Sequence, residues 1–379
     1  MKTQQIAFQS NRWQHISETK EFNPLKVNLV FVFGERRCLE STQPYQHIKN
    51  LYPLADIIIN STSGEIFNDL VHDDSIIVTA VEFEKTTIRT IQIDIHHHLE
   101  SMNAGEYVAK NLLSDDLKAI FIVSDGSNVN GSALIAALNE KINNKIFISG
   151  GLAGDGDRFE KTLVGLNESP QPGKIVGIGF YGKFLKVGVG TKSGWEEFGP
   201  EREVTASEYN VLYQINDTAA LDIYKEYLGK YAVDLPNNAF LFPLSVRISD
   251  DDEPVIRTIL SIDEANKSMT FAGDIPKGSL VRFMKANLDR IINASAKAAS
   301  NSISAFETAP ELAIVVSCSG RKLILGQRID EEIETIRDVF GDETTITGFY
   351  SYGEIASPHA DSPCDLNNQS MTVTTFSEN

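Results

Sequence analysis

Three stretches of the chain carry the same succession of apolar and polar positions. Each opens with an unbroken apolar run: Asn28–Gly34, Ala119–Gly126 and Leu312–Gly320. Each then turns polar and amphipathic, over Tyr45–Leu51, Ser132–Lys141 and Glu331–Phe340. Each closes with a second apolar run ending at glycine: Asp56–Asn60 before Gly64, Ile146–Gly151, and Thr344–Thr347 before Gly353. Apolar runs of four to six residues suit strands covered on both faces, so each stretch predicts a βαβ unit. In the middle unit Leu134, Ile135, Leu138 and Ile142 recur at helical spacing.

Between these units the pattern alternates. Ser75–Phe83, Thr87–Ile95, Gly173–Phe180 and Leu185–Gly190 read as strands, the last two close enough for an antiparallel hairpin. Thr218–Leu228 predicts a helix stopped by Gly229, and Asp289–Phe306 a second, rich in small residues that let it pack close to a sheet. Pro236 and the acidic run Asp250–Glu253 are turn signals, which places a domain boundary between Leu228 and Phe240. The fold class expected is α/β: two related domains of mixed sheets with βαβ units and antiparallel hairpins, helices packed on the sheets.

The first and third units end alike. Gly34 and Gly64 are 30 residues apart, Gly320 and Gly353 are 33 apart, and both second glycines open the tripeptide Gly-Glu-Ile with a serine just upstream. Equivalent placement in similar units suggests duplication. In an open α/β sheet ligands sit beyond the carboxyl ends of the strands, where Ser63, Gly64 and Glu65, and Tyr350, Tyr352, Gly353 and Glu354, fall. There a glycine admits backbone N–H groups to a ligand and a glutamate accepts from an ammonium group. The alternative is a turn glycine beside a solvated glutamate. Gly150, Gly151 and Asp155 in the run Gly150–Gly156 could cradle an anion, but no helix pattern follows, so a dinucleotide fingerprint fails its context.

Composition narrows the function classes. Of 379 residues, 52 are acidic and 34 are Lys or Arg, a net charge of −18 that repels phosphate backbones and anionic lipid. Nucleic acid and membrane are therefore not expected partners. Cys38, Cys318 and Cys364 are odd in number and far apart, which supports neither a disulfide framework nor a zinc site. No apolar core of a signal peptide opens the chain and no apolar run approaches the roughly 18 residues of a membrane span, so the expected compartment is the cytoplasm. Cys318 reads as inert core, and Cys364, in a proline-rich loop, as exposed. His96–His98 read as a solvated strand end. His72 and His359, seven and five residues beyond the two glutamates, are candidate axial haem ligands or surface histidines. Ser317–Gly320 lacks the Gly-x-Ser-x-Gly elbow, so no acyl-transfer nucleophile is assembled and no enzyme is expected.

Several motifs together resemble the FIST domain family, a FIST N-terminal domain followed by a FIST C-terminal domain. They are Tyr52-Pro53, Ser61–Ile66, Ser149–Gly156 with Thr162, Ser193–Gly199, Val204-Thr205, Asn210–Tyr213, Ala220–Tyr224, Gly348–Ile355 and Asn367–Thr372. The resemblance places the two domains at residues 25–230 and 235–379. It implies a sensory input of signal transduction that binds a small ligand, with amino acids proposed; some members are haem-based nitric oxide sensors, and an uncharacterised hydrolase or transferase is a further alternative. Members are often fused to, or encoded beside, kinases, chemoreceptors or cyclic-dinucleotide enzymes. No residues remain here for an output domain, so a separate signalling protein of those kinds is the partner the resemblance implies.

Overall fold

The computed structural model describes residues 1–98, 100–142, 146–235, 238–249, 254–357 and 362–378. The turn signals at Pro236 and Asp250–Glu253, and the candidate ligand His359, lie outside the described residues.

The fold is mixed α/β. Each of the three apolar patterns forms the unit it predicts, with its two strands parallel and adjacent. Leu29–Glu35 pairs with Asp56–Thr62, Leu117–Ser124 with Phe147–Leu152, and Leu312–Cys318 with Thr345–Ser351. The connecting helices are Arg36–Thr42 and Tyr45–Leu51, Gly131–Lys141, and Ser319–Leu325 and Ile329–Phe340. An antiparallel strand flanks the opening strand of every unit: Ile76–Glu82, Lys174–Tyr181 and Met371–Glu378. Among the described residues each unit thereby heads its own six-stranded sheet.

The three sheets exchange strands in a cycle. After the first unit the chain crosses over, and Glu65–Phe67 pairs with Thr345–Ser351 of the third. After the third unit Gly353–Ala356 pairs with Phe147–Leu152 of the second. After the second, Val164–Leu166 pairs with Asp56–Thr62 of the first. Apolar faces from all three meet in one core that includes Phe31, Phe33, Phe121, Phe180, Val316, Phe349 and Phe376. Phe33 lies 4.9 Å from Phe349, and Phe31 5.9 Å from Phe121, by ring centroids.

Among the described residues, strands between Glu196 and Lys285 form a separate eight-stranded antiparallel sheet, inserted between the strand Leu185–Lys192 and the helix Leu288–Ser302. It has its own core around Leu221, Tyr224, Phe271 and Phe283. The helix Ala220–Leu228 packs there and ends at Gly229, as its sequence predicts.

Two expectations are overturned. The runs Lys174–Tyr181 and Leu185–Lys192 do not form a hairpin. Both edges of the first are occupied, by Thr87–Asp94 and Leu117–Ser124, so the second pairs with Met371–Glu378 in another sheet. Its alternating glycines fit this: a Cβ at Gly188 or Gly190 would strike the backbone of the helix Leu288–Ser302. Cys364 is not exposed but 5 % accessible, packed with Leu366 and Ile148. A hairpin missed by the sequence reading, Lys2–Gln9 with Arg12–Glu18, extends the first sheet beyond Ile76–Glu82.

Candidate functional site

The carboxyl ends of the three closing strands meet in a ring of backbone hydrogen bonds. Ser63 N–H donates to Tyr350 O at 2.9 Å, Tyr352 N–H to Leu152 O at 3.1 Å, and Gly154 N–H to Ser61 O at 3.1 Å. Each strand end is thus held by its neighbour, and the ligand-binding end of three βαβ units converges on one hub.

Two of the three strand ends turn through a Gly-Glu corner. The Glu65 carboxyl accepts from Thr62 Oγ1 and, at 2.5 Å, from Ser75 Oγ. The Glu354 carboxyl accepts from Ser351 Oγ at 2.7 Å, Ser370 Oγ at 2.9 Å and Ser370 N at 3.1 Å. Both residues are fully buried. Burial without a cationic partner in contact pushes Glu65 up to about 8 and Glu354 up to about 7, against the opposing pull of the hydroxyls. Each carboxyl is thus satisfied by one hydroxyl of its own corner and by the serine that precedes the flanking antiparallel strand, Ser75 or Ser370. Gly64, at φ +144, lets the Lys322 ammonium reach Ser63 O at 2.8 Å; a Cβ there would lie 2.5 Å from Nζ. Lys322 also pairs with Asp73.

The third strand end has no such corner. It opens into the loop Gly154–Leu163, organised around the buried Asp155. Tyr352 donates its hydroxyl to Asp155 Oδ1, while Glu160 N and Lys161 N donate to Oδ2 at 3.2 and 3.1 Å. Burial, then the Asp155 carboxylate, raises the Tyr352 phenol far above its usual range, so it stays a donor. Phe159 stacks on Tyr352 with ring centroids 4.7 Å apart, and its φ of 51° is a costly backbone state for an aromatic residue.

Facing the hub across a cleft is the inserted sheet. One cavity of about 360 Å³ is lined by Ser127, Asn130, Asn210 and Asp274, with Leu152 and Phe271. Another of about 560 Å³ is lined by Phe240, Ile259, Leu323, Cys318, Ser319 and Ser351. Phe159, Leu260, Ala272 and Tyr352 line both, so the two cavities adjoin. Among the described residues the Asp274 carboxylate at one end has one long contact, from Asn130 Nδ2 at 3.4 Å. A third cavity of about 530 Å³ lies on the other side of the loop, lined by Ser63, Gly64, Glu65, Arg158 and Lys322.

The structure therefore separates the residues singled out from sequence. Ser63, Gly64 and Glu65 line the third cavity and Tyr352 the first two, with Asp155 directly behind it. Gly353 and Glu354 sit inside the sheet, paired with Leu152 and Gly151. Gly150 and Gly151 serve close packing: a Cβ at Gly150 would stand 1.9 Å from Ile122 O and one at Gly151 2.7 Å from Val316. Tyr350 is buried and donates to Glu332 at 2.6 Å, beside the buried Arg321–Glu332 ion pair. Trp195 is also core, donating to Gln369 O at 3.1 Å. His72 does not fit haem ligation. Its ring lies flat on Phe67 at 4.2 Å, Nδ1 meets Gln9 at 3.1 Å, and Nε2 is enclosed by protein, out of reach of a porphyrin. Sequence reasoning missed Asp274, Asn130 and Leu260, which line these cavities from turns and strands without a motif, and met Asn210 only as part of the motif Asn210–Tyr213.

The FIST N domain matches residues 28–218 and the FIST C domain residues 220–357. The chain belongs to the FIST family. FIST domains are sensory domains of signal transduction. No curated protein matches the chain. The boundary between the two FIST matches falls just before the helix Ala220–Leu228, inside the inserted segment, while the hub draws on both.

Proposed function

We propose that this FIST protein is a signalling input that binds a small amphiphilic ligand, an amino acid, in the cleft between hub and inserted sheet. The observation that carries the reading is the pair of adjoining cavities with unlike ends. At one end stand a carboxylate and two amides, Asp274, Asn130 and Asn210; at the other, Phe240, Ile259 and Leu323. An ammonium group is recognised by the first and an apolar side chain by the second, with the Phe159–Tyr352 stack between them. Binding rather than catalysis is favoured by the cleft's own nucleophiles. Ser319 spends its hydroxyl on Ser351 O at 2.7 Å, and burial drives the Cys318 thiol well above its normal range.

Among the described residues no helix is long and apolar enough to cross a membrane, and the net charge is −18. The charge weighs against nucleic acid and anionic lipid as partners, and the sensor is proposed to act in the cytoplasm on a kinase, chemoreceptor or cyclic-dinucleotide enzyme. Thermal melting against a panel of amino acids tests the ligand. At a hundredfold excess over Kd a true ligand adds about 2.7 kcal/mol to stability. Asp274→Asn removes that gain while leaving the unliganded melting temperature unchanged, because the carboxylate is half-exposed and carries no structural ion pair. No response to any of the twenty amino acids removes this assignment.

A further inference from the structure

The cleft is connected to a distant surface by a single loop. Between Gly154 and Leu163, both tied to Ser61, the loop is held by two sets of contacts on opposite sides. On the cleft side Phe159 stacks on Tyr352 and donates its N–H to the Tyr352 hydroxyl at 3.3 Å, and that hydroxyl in turn holds Asp155. On the far side three ion pairs run from the loop to the helix Arg36–Thr42 and its cap. Arg158 meets Glu35 at 2.6 Å, Glu160 meets Arg36 at 2.6 Å, and Lys161 meets Glu40 at 2.7 Å. Glu35 is also the N-cap of that helix, accepting from Cys38 N at 2.8 Å.

Asp155 stands between the two sets. Its Oδ2 receives the amides of Glu160 and Lys161 and lies 3.5 Å from Arg36 Nε and 3.9 Å from Arg158 Nε. Neither Nε has a hydrogen-bond partner, although both are buried. One carboxylate oxygen is therefore held by the Tyr352 phenol and the other by two loop amides, while the two guanidinium Nε groups beside it stay unpartnered. Phe159 adds to this, being 56 % exposed and in a left-handed backbone conformation that only its ring stack and its neighbours maintain.

We propose that Gly154–Leu163 is a lever which carries ligand occupancy of the cleft to the helix Arg36–Thr42. A ligand that competes for the face of Tyr352 lifts Phe159, releases its N–H and lets the phenol swing from Asp155. The loop then recoils to a less strained backbone. Because Arg158, Glu160 and Lys161 grip Glu35, Arg36 and Glu40, the cap and first turn of that helix move with it, presenting an altered surface to a partner. This deepens the sensory reading of the same cleft and names how its signal leaves.

The test is hydrogen exchange on the full-length chain, which requires no ligand. Tyr352→Phe keeps the ring stack and deletes the hydroxyl. Loss of one hydrogen bond to a charged group predicts at least about tenfold faster exchange at Glu160 and Lys161. The lever further predicts faster exchange at Cys38 and Leu39, and predicts that this distant effect disappears in Tyr352→Phe combined with Arg158→Gln, Glu160→Gln and Lys161→Gln, which together remove all three ion pairs. Unchanged exchange at Cys38 in Tyr352→Phe, with the loop amides accelerated, overturns the lever and leaves the ligand site standing. Addition of the twenty amino acids to the wild type reports separately: the ligand reading fails if none shifts melting, whatever Tyr352→Phe does.

Discussion

The strand ends at Thr62 and Ser351 and the strand end at Leu152 occupy equivalent places in the hub, yet they do different things. The first two run through Gly-Glu into a strand of the next sheet, and each glutamate is enclosed by one hydroxyl of its corner and one from the residue preceding the flanking antiparallel strand. The third leaves its sheet as a loop whose acid, Asp155, is held by a tyrosine from another unit and by amides of exposed residues. Repetition marks the residues that build the hub. The lever proposed above lies where the repetition fails, since a strand locked into a ladder opens less readily than a loop.

Removing the corner carboxyls is the strongest test of this contrast. Glu354→Ala strands three buried donors and is expected to lower unfolding free energy by about 3 kcal/mol, with Glu65→Ala close behind. Glutamine at either position should cost far less, because it replaces a carboxyl that near neutral pH is largely protonated at Glu65 and about half protonated at Glu354 by a neutral group of the same shape. Urea denaturation measures both; equal costs for alanine and glutamine would deny the corners a hydrogen-bonding role.

The next effect is a pH dependence. Folding raises both carboxyls above the ordinary 4.5, to about 8 for Glu65 and about 7 for Glu354. The folded state therefore binds more protons than the unfolded one in this window. The stability they contribute is fully present below pH 4.5, declines above it, and is lost as pH rises through about 7 and then about 8. The slope approaches about 1.4 kcal/mol per pH unit for each group. The double variant Glu65→Gln, Glu354→Gln should flatten the decline between pH 5 and 8, measured as urea midpoints across that range; a slope as steep as wild type's would assign it to other groups.

Smaller effects belong to the third strand end. Tyr352→Phe should lower global stability by only about 1 kcal/mol while loosening the loop, since Asp155 retains the amides of Glu160 and Lys161. Smallest of all, at the first Gly-Glu corner, Asp73→Asn removes the ion-pair partner of Lys322, but Asp73 is 68 % exposed, so a change beyond about 0.5 kcal/mol in melting analysis would contradict its surface character.

Much of this architecture was legible in the residues themselves. Unbroken apolar runs such as Leu29–Phe33 and Leu312–Val316 can only be strands covered on both faces, and the periodicity of Leu134, Ile135 and Leu138 fixes one buried helix face. The Gly-Glu repeat located the strand ends of the hub. The functional emphasis it suggested fell on carboxyls that the fold encloses, because a sequence does not tell a buried acid among serines from one open to a ligand. The inserted sheet was seen only as scattered turns and one helix, so Asp274 and Leu260 had no mark on them.

What the sequence alone determined is local: which segments are strands, which are helices, and that three of them repeat, because periodicity and turn chemistry act over a few residues. Only the tertiary structure decided which edges pair. Strands of one unit pass to the next, Leu185–Lys192 seeks Met371–Glu378 rather than its neighbour, and residues 196–285 come to face the hub. Those choices rest on which hydrogen-bonding edges and apolar faces are left free once all three units are assembled, and no short stretch of chain contains that information.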